Sequence, residues 1–298
     1  MGAFFFAIFY GLTWLVAQIP SRVLYVLSDL GFVLVYHLAG YRRGVVWTNL
    51  KNSFPNKTDK ELKEIEVRFY RHFCDLFFET IILLHASRKK ALETCTFHNL
   101  DLFEKFYEQG KSVVMTTGHY CNWELYALMG SITKNIPVGI YKPLTNHRFE
   151  KLMNNARKRF GGDPVPMRDT LRAVIDYKKK GLPILLGLVS DQTPAKNDIR
   201  YWTTFLNQDT AVFLGVEKIA QKFDMPIIFC SMSKIKRGKY EVYFEVLSEK
   251  PNEHEPYELT KMHVKALEHL IVKKPEFWLW SHRRWKRKRP QDESTSQE

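Results

Sequence analysis

Residues 113–124 read VVMTTGHYCNWE, an apolar run of β-strand character followed by a polar turn and the start of a helical segment. Within it, His119 and Glu124 stand five positions apart as an H-x4-E pair. A histidine held by a carboxylate is the usual means of taking a proton from a hydroxyl near neutral pH. Side chains five positions apart lie on different sides of a continuous helix. The two can converge if His119 lies on the turn and Glu124 in the first helical turn.

The residues between this pair favour a strand–turn–helix unit. Gly118 permits a tight turn, and Asn122 is a candidate N-cap for the helix. The start of that helix would bring free N–H groups and partial positive charge beside His119. H-x4-E pairs also occur by chance, and a lone histidine near an apolar strand is often structural. The assignment of a catalytic role to this pair therefore depends on the rest of the sequence.

Outward from this stretch, strand-like and helix-like segments alternate. We predict strands at 112–117, 138–141, 184–189, 227–232 and 240–247, and helices near 123–130, 148–160, 170–180 and 213–223. Residues 57–87 also have helical periodicity, and Thr58 with Glu61 resembles a capping box. The alternation predicts an α/β fold in which a central, mostly parallel or mixed sheet is flanked by helices, with sites at strand carboxyl ends. His119 and Asp191 each fall just past such an end.

Composition limits the class of protein. The 298 residues are enough for one substantial domain with an appended element, and 45% are hydrophobic, which fits a folded protein. The net charge of +13 indicates an acidic partner: nucleic acid, an anionic membrane surface, or a phosphorylated or carboxylated substrate. The four cysteines show no CxxC pair and no metal-ligand spacing with histidines, so we expect free thiols and no metal. Cys121 as a nucleophile is the weaker alternative.

The amino terminus is strongly apolar. Residues 3–19 carry no charge and approach the minimum length of a spanning helix, without the flanks of a signal peptide. Residues 23–39 are interrupted by polar side chains, which favours an interfacial helix. Arg22, Arg42 and Arg43 place the rest of the chain in the cytoplasm by the positive-inside rule. A buried helical hairpin is the alternative. We predict an anchor and interfacial helix at 1–45, one main domain at 46–289, and a disordered polar tail at 290–298.

The stretch GHYCNWE resembles the GHxxNWE block of the late acyltransferases of lipid A assembly, of the lauroyl/myristoyltransferase type. These belong to the lysophospholipid acyltransferase superfamily, which carries an H-x4-D/E motif. Other blocks are similar to that family in order and spacing: NL at 49–50 with Pro55, YKPL at 141–144, RKRFG at 157–161, SDQ at 190–192 and FWLWSHRRW at 277–285. Two positions depart from the family pattern. Lys142 stands where arginine is more usual, and Cys121 stands where a small or apolar residue is common.

This resemblance implies a membrane-bound O-acyltransferase that needs no cofactor, with residues 46–289 as its acyltransferase domain. The donor would be an acyl thioester, usually on acyl carrier protein. The acceptor would be an anionic glycolipid, a lipid A precursor whose hydroxyl becomes part of an acyloxyacyl group. The expected location is the inner membrane, with the catalytic domain on its cytoplasmic face.

The expected mechanism is a direct transfer without an acyl-enzyme. His119 takes the proton of the acceptor hydroxyl, and Glu124 fixes its tautomer and stabilises the imidazolium. The alkoxide then attacks the thioester carbonyl, and the tetrahedral oxyanion requires hydrogen-bond donors.

Candidate donors are N–H groups at the helix start after Asn122, and one of Arg157 or Arg159. The resemblance also points to Asp191, which would orient that arginine or contact the acceptor. Without the resemblance, the arginines would be interpreted as solvated helix residues and Asp191 as a strand-end cap.

Three other functions remain open on sequence alone. A phospholipid or an aminolipid could replace lipid A as acceptor. A membrane-tethered nucleic-acid-binding protein would use the basic run at 282–289, but it leaves the ordered motif blocks unexplained. A metal hydrolase lacks a third ligand near His119 and Glu124. We interpret 282–289, interleaved with tryptophans, as facing lipid rather than nucleic acid.

Overall fold

A seven-stranded sheet lies at the centre of the protein. The structure is a computed structural model that describes residues 3–290, so the predicted disorder of 291–298 lies outside the described residues. The strands are β1 (Cys95–Phe97), β2 (Val113–Thr117), β3 (Ile136–Tyr141), β4 (Asp163–Pro166), β5 (Ile184–Val189), β6 (Trp202–Phe205), β7 (Gln208–Ala211), β8 (Ile227–Lys236) and β9 (Lys239–Ser248). The sheet order is β1-β9-β8-β2-β5-β3-β4, and β6 and β7 form a separate hairpin.

Helices cover both faces of the sheet. Their bounds are α1 (Ala3–Gln18), α2 (Ser21–Phe32), α3 (Arg43–Ser53), α4 (Asp59–His85), α5 (Arg88–Leu92), α6 (Asp101–Glu108), α7 (His147–Arg159), α8 (Thr170–Lys179), α9 (Gly215–Phe223) and α10 (Glu258–Lys273). A π-helical turn, Val33–Leu38, extends α2, and a 3₁₀ segment, Trp123–Ser131, follows the turn after β2.

Strand β2 is buried along its whole length. Its side chains alternate between two cores, because successive residues of a strand point to opposite faces. Val113 and Met115 join the core with α4, α6 and the end of α10, whereas Val114 joins the core with α8 and α9. Burial on both faces is typical of a parallel strand and explains the continuous apolar run in the sequence.

The pairing of β2 with β5 positions the site. The two strands are parallel and in register from Val113 with Leu185 to Thr117 with Val189. All neighbouring pairs of the sheet are parallel except β8 with β9. The residues that follow β2 and β5 therefore leave the sheet side by side at one edge. The predicted α/β fold with a mostly parallel sheet is confirmed.

The predicted strands are all present, with shifts of a few residues at their ends. The capping box is also confirmed, since the Thr58 N–H donates to Glu61 Oε2 at 2.8 Å and the Glu61 N–H donates to Thr58 Oγ1 at 3.3 Å. Edge strand β4 was not predicted because its sequence, DPVP, contains two prolines, which rarely occur inside a sheet. The predicted helix near 123–130 is a 3₁₀ segment.

The amino-terminal helices differ from the prediction in length. Pro20 separates α1 from α2, and α2 continues through the π-helical turn. Among the described residues, Ser21–Leu38 is the helix long and apolar enough to cross a membrane, whereas the apolar helix Phe4–Gln18 is shorter. The sequence had favoured 3–19 for spanning and 23–39 for the interface. By length and composition alone, the second segment, Ser21–Leu38, is therefore the better candidate for spanning than the first.

Candidate active site

His119 and Asp191 form the centre of the site. Nδ1 of His119 lies 2.6 Å from Oδ1 of Asp191, and the backbone N–H of His119 donates to Oδ2 at 2.8 Å. His119 follows β2 by two residues and Asp191 follows β5 by two residues. Because these strands are parallel neighbours in register, the two side chains meet at the carboxyl edge of the sheet. The imidazole is 20% exposed, and the Asp191 side chain is buried.

The carboxylate on His119 is therefore not the predicted one. The sequence assigned the contact with Nδ1 to Glu124, and the structure assigns it to Asp191. The chain turns back after His119, with Cys121 in the left-handed region at φ 51°, before the 3₁₀ segment begins. Glu124 then pairs with Arg157, whose Nη2 lies 3.1 Å from Oε2 and 3.2 Å from Oε1.

Burial and charge act in opposite directions on this pair. Burial favours neutral imidazole, but the Asp191 charge, its hydrogen bond and the more distant Glu124 charge together raise the pKa of His119 above its ordinary value. Burial also opposes ionisation of Asp191. The attraction of His119, both hydrogen bonds from His119 and the one from Trp278 outweigh it and lower the pKa of Asp191 to about 2. Asp191 is thus an anion over the physiological range.

The second ring nitrogen of His119 faces a cleft. With Nδ1–H donated to Asp191, Nε2 carries the free lone pair. The side-chain amide nitrogen of Gln192 lies 3.2 Å from Nε2 and can donate to it. Gln192 therefore occupies the position in front of the free lone pair of Nε2. The ring of Trp123 packs edge-on against the imidazole at 5.1 Å between centroids.

The carboxy-terminal segment fixes the turn that carries His119. Cys121 N–H donates to the Phe277 carbonyl at 2.9 Å, and Leu279 N–H donates to the His119 carbonyl at 3.1 Å. The indole N–H of Trp278 donates to Oδ2 of Asp191 at 2.8 Å. Trp278 thus orients the Asp191 carboxylate. The sequence placed this tryptophan in a family motif but gave no signal of this contact.

The same segment is less lipid-facing than predicted. Trp278, Trp280 and Arg284 are at most 2% exposed, so they belong to the core. The Arg284 guanidinium donates to the Ala211 carbonyl at 2.7 Å. Burial lowers the pKa of Arg284 to about 10, partly offset by the nearby negative charge of Asp191. In the described part of the run, exposed basic side chains remain at Arg283, Lys286 and Lys288.

Gly118 is required for space rather than for a left-handed turn. A Cβ at this position would lie 2.8 Å from the Leu267 side chain and 3.1 Å from Oδ2 of Asp191. Any larger residue would push against the carboxylate that holds His119. The left-handed residue of the turn is Cys121 instead.

The predicted oxyanion candidates separate into two groups. Arg157 lines the cleft together with His119 and Glu124. Arg159 does not reach it, because its Nη2 donates to the carbonyls of Leu83 and Leu84 at 2.9 Å each. These are carbonyls of the last turn of α4, which need donors at a helix end. Arg159 is a structural residue.

Asn122 and Cys121 also differ from their candidate roles. Asn122 occupies the N-cap position, but its side chain makes no cap hydrogen bond and donates to Oε2 of Glu79 at 2.8 Å. Burial raises the pKa of the Cys121 thiol well above its ordinary value, so this thiol is not an activated nucleophile. All four cysteines are buried and unpaired.

The cleft has a volume of about 1180 Å³. Its floor crosses the sheet from Met115 on β2 to Gly187 on β5 and Gly139 on β3, which are neighbours in register. The two glycines leave a groove, and a Cβ at Gly139 would meet nothing within 4 Å. His119 and Arg157 line the same space. Lys142 and Arg168 add positive charge to its walls.

The fold and the site define an α/β protein in which a carboxylate-bound histidine faces a cleft of about 1180 Å³. A family model agrees: the chain belongs to the bacterial lipid A biosynthesis acyltransferase family, whose model matches residues 2–287. The protein is accordingly an O-acyltransferase of lipid A biosynthesis, which acts on a lipid A precursor with an acyl donor.

Individual relatives are distant but cover nearly the whole chain. It is 22% identical to the lipid A biosynthesis acyltransferase of Haemophilus influenzae over 270 residues, which is 89% of this chain and 82% of the relative. It is also 22% identical to two proteins of Escherichia coli strain K12. The lipid A biosynthesis palmitoleoyltransferase aligns over 290 residues, 96% of this chain and 92% of the relative. The lipid A biosynthesis lauroyltransferase aligns over 281 residues, 93% and 89%.

Among solved structures, the 1-acyl-sn-glycerophosphate acyltransferase of Thermotoga maritima matches with 14% identity and a TM-score of 0.39, covering 87% of this chain and 99% of that one.

Proposed function

We propose that this protein transfers a fatty acyl chain from the thioester of acyl carrier protein to a hydroxyl of a lipid A precursor, at the cytoplasmic face of the inner membrane. The product is an acyloxyacyl group. The observation that carries the proposal is the geometry of His119, with Nδ1 on Asp191 and Nε2 toward the cleft. The family membership supports the acceptor.

The reaction follows from these groups. Nε2 of His119 accepts the proton of the acceptor hydroxyl as its oxygen attacks the thioester carbon, and Asp191 stabilises the imidazolium that forms. The C–O bond forms and the carbonyl π-electrons move to oxygen. As the carbonyl reforms, the C–S bond breaks, and the departing thiolate takes the proton from the imidazolium. The balance leaves an ester and a free thiol, and the enzyme is unchanged.

Arg157 is the side chain that we propose for the oxyanion. It lies in the cleft with His119, and Glu124 holds its guanidinium through Nη2. A cation fixed before the reaction stabilises the developing negative charge without reorganising. In this arrangement Glu124 orients Arg157, the proposed oxyanion donor. It makes no hydrogen bond to His119 and raises the pKa of His119 only through its charge.

Arg157 and Arg159 provide a matched test of this assignment. Arg157→Ala is expected to lower kcat roughly 10²-fold, the usual cost of losing one oxyanion donor. Arg159→Ala is expected to leave kcat within about threefold, and to lower the free energy of unfolding by about 2 kcal/mol because two helix-end carbonyls lose a charged donor. Steady-state kinetics and denaturant unfolding of the detergent-solubilised variants measure both. A full kcat loss in Arg159→Ala with none in Arg157→Ala would reverse the two roles.

The amino-terminal helices support membrane attachment. Their exposed surface carries large apolar side chains, namely Phe4, Phe5, Ile8, Leu12, Trp14, Leu15, Val23, Val26, Leu30, Leu34 and Leu38. So many exposed large apolar side chains on two successive helices are unusual for a soluble monomer. Phe9 of α1 packs against Phe149, at 6.2 Å between ring centroids, and Phe149 lines the cleft. The cleft thus opens beside these helices, where a lipid acceptor would arrive.

Mass spectrometry of lipid A and of total lipids tests the proposed acceptor. Cells that lack this protein are expected to make lipid A with one acyl chain fewer, and the wild-type gene is expected to restore it. Unchanged lipid A together with the loss of an aminolipid or phospholipid would keep the chemistry and contradict the acceptor.

For the donor, the purified enzyme is expected to show a higher kcat/KM with acyl carrier protein than with coenzyme A carrying the same acyl chain.

A further inference from the structure

Glu79 of α4 is a buried carboxylate with four donors from three different parts of the protein: α2, the β8–β9 hairpin and the turn after β2. Its Oε1 accepts from the Tyr25 hydroxyl at 3.1 Å and from the Gly238 N–H at 3.2 Å. Its Oε2 accepts from the Tyr240 hydroxyl at 2.6 Å and from the Asn122 amide at 2.8 Å. A carboxylate that is only 7% exposed needs such partners, because burying an unpaired charge is costly.

One of these donors belongs to the turn that carries His119. Asn122 is three residues beyond His119, is 3% exposed, and is not part of the cleft wall. The backbone of the turn is held on one side by Phe277 and Leu279. The Asn122 side chain holds it on the other side, through Glu79. None of Glu79, Phe277 and Leu279 lines the cleft either.

Another donor belongs to the amino-terminal helices. Tyr25 lies on α2, which is also attached by polar contacts to Asp75, one turn before Glu79 on α4. Ser28 donates to Asp75 at 2.8 Å, and Arg237 bridges Asp75 and Asp29 with Nη2 contacts of 2.7 Å to each. Helix α2 is therefore docked on α4 by a polar network. Gly238 fits this network closely, since a Cβ there would overlap the Tyr25 hydroxyl.

We infer that Glu79 and Asn122 are positioning residues that couple the docking of α2 to the geometry of the His119 turn. This inference rests on the proposed role of His119. The path is Tyr25 hydroxyl, Glu79 carboxylate, Asn122 amide, and then three residues of backbone to the base. A displacement of about 1 Å at a reacting group can cost about 10²-fold in rate. Helix α2 thus contributes to the arrangement of the active site and not only to attachment.

Asn122→Ala tests the inner half of this path. It is expected to lower kcat roughly 10-fold to 10²-fold while KM for the acyl donor stays within about twofold. The matched control is Asn135→Ala, since Asn135 is 1% exposed and donates to the Lys111 carbonyl at the opposite edge of the sheet. The control also removes a buried amide and is expected to keep kcat within about twofold.

Tyr25→Phe tests the outer half and removes a single hydroxyl. It is expected to lower kcat about fivefold, a smaller loss than for Asn122→Ala, because three other donors still hold Glu79. Tyr36→Phe is its control, because the Tyr36 hydroxyl also bonds a carboxylate of α4, Glu66, at 3.0 Å. Glu66 has no contact with the His119 turn, so this control is expected to keep kcat. If Asn122→Ala does not fold, the Tyr25 and Tyr36 pair alone decides the inference.

The thiol of Cys121 gives a measure that does not depend on activity. Cys121 lies in the same turn and is fully buried, as is Cys230 on β8. Alkylation of the native, full-length protein followed by peptide mass spectrometry is expected to show faster labelling of Cys121, relative to Cys230, in Asn122→Ala and Tyr25→Phe. Faster labelling in a protein whose wild type transfers no acyl chain would support the coupling and contradict the proposed function. Unchanged labelling together with unchanged kcat would overturn the coupling and leave the proposed function standing.

Discussion

Asp191→Asn is expected to lower kcat about 10³-fold to 10⁴-fold while leaving the fold intact. The replacement has nearly the same shape, so its remaining oxygen can still accept from the His119 backbone N–H and from Trp278. Its amide nitrogen then faces Nδ1 of His119 as a donor. This arrangement favours the tautomer with the proton on Nε2, which cannot act as a base. The imidazolium also loses its counter-charge.

The pH dependence of kcat/KM gives this prediction a second readout. In the wild type, kcat/KM is expected to fall on the acid side with an apparent pKa above the ordinary histidine value of 6.5, because Asp191 favours the protonated imidazole. Without the Asp191 charge, only the more distant Glu124 charge opposes the lowering effect of burial on the pKa of His119. The acid limb of the residual activity in Asp191→Asn is therefore expected to move to lower pH.

Glu124→Gln is the control for Asp191→Asn. Glu124 contacts Arg157 rather than Nδ1, so the expected kcat loss is smaller, and the acid limb is expected to move only slightly toward lower pH. A full loss in Glu124→Gln, combined with near wild-type activity in Asp191→Asn, would return the role of histidine partner to Glu124. It would show that the arrangement of the catalytic complex differs from the structure.

His119→Ala is expected to lower kcat on the order of 10⁴-fold or more, because in the proposed mechanism His119 is the base that takes the proton of the acceptor hydroxyl. The fold is expected to survive, since the imidazole is 20% exposed. His269→Ala, an exposed histidine on α10, is the matched control and is expected to retain full activity. Acyl-transfer assays with the purified variants measure both. Activity of His119→Ala within tenfold of wild type would contradict the mechanism.

The sequence predicted the central strands well because their signals are local. Apolar runs at 113–115 and 184–189 identify buried strands, and both His119 and Asp191 lie just past the predicted strand ends. What the sequence lacked was the order of strands in the sheet. The contact between His119 and Asp191 exists because β2 and β5 are adjacent, which is a non-local property. The sequence alone therefore favours Glu124, the nearer carboxylate along the chain, as the partner of His119.

The two arginines show a different limit. Arg157 and Arg159 are two positions apart on α7, and two helical residues differ by about 200° around the axis. One therefore faces the cleft and the other faces the end of α4, as their contacts show. The sequence identified the pair but could not choose between them, because the choice depends on which side of α7 packs against the sheet.

The most direct test of the central claim uses purified protein, a lipid A precursor and the acyl carrier protein thioester, with product masses measured for wild type, His119→Ala and Asp191→Asn. We expect the wild-type protein to add one acyl chain to the precursor and to release one equivalent of free thiol, whereas both variants yield almost no product. Transfer by either variant at a rate close to that of wild type would contradict the assignment of His119 and Asp191 as the catalytic pair.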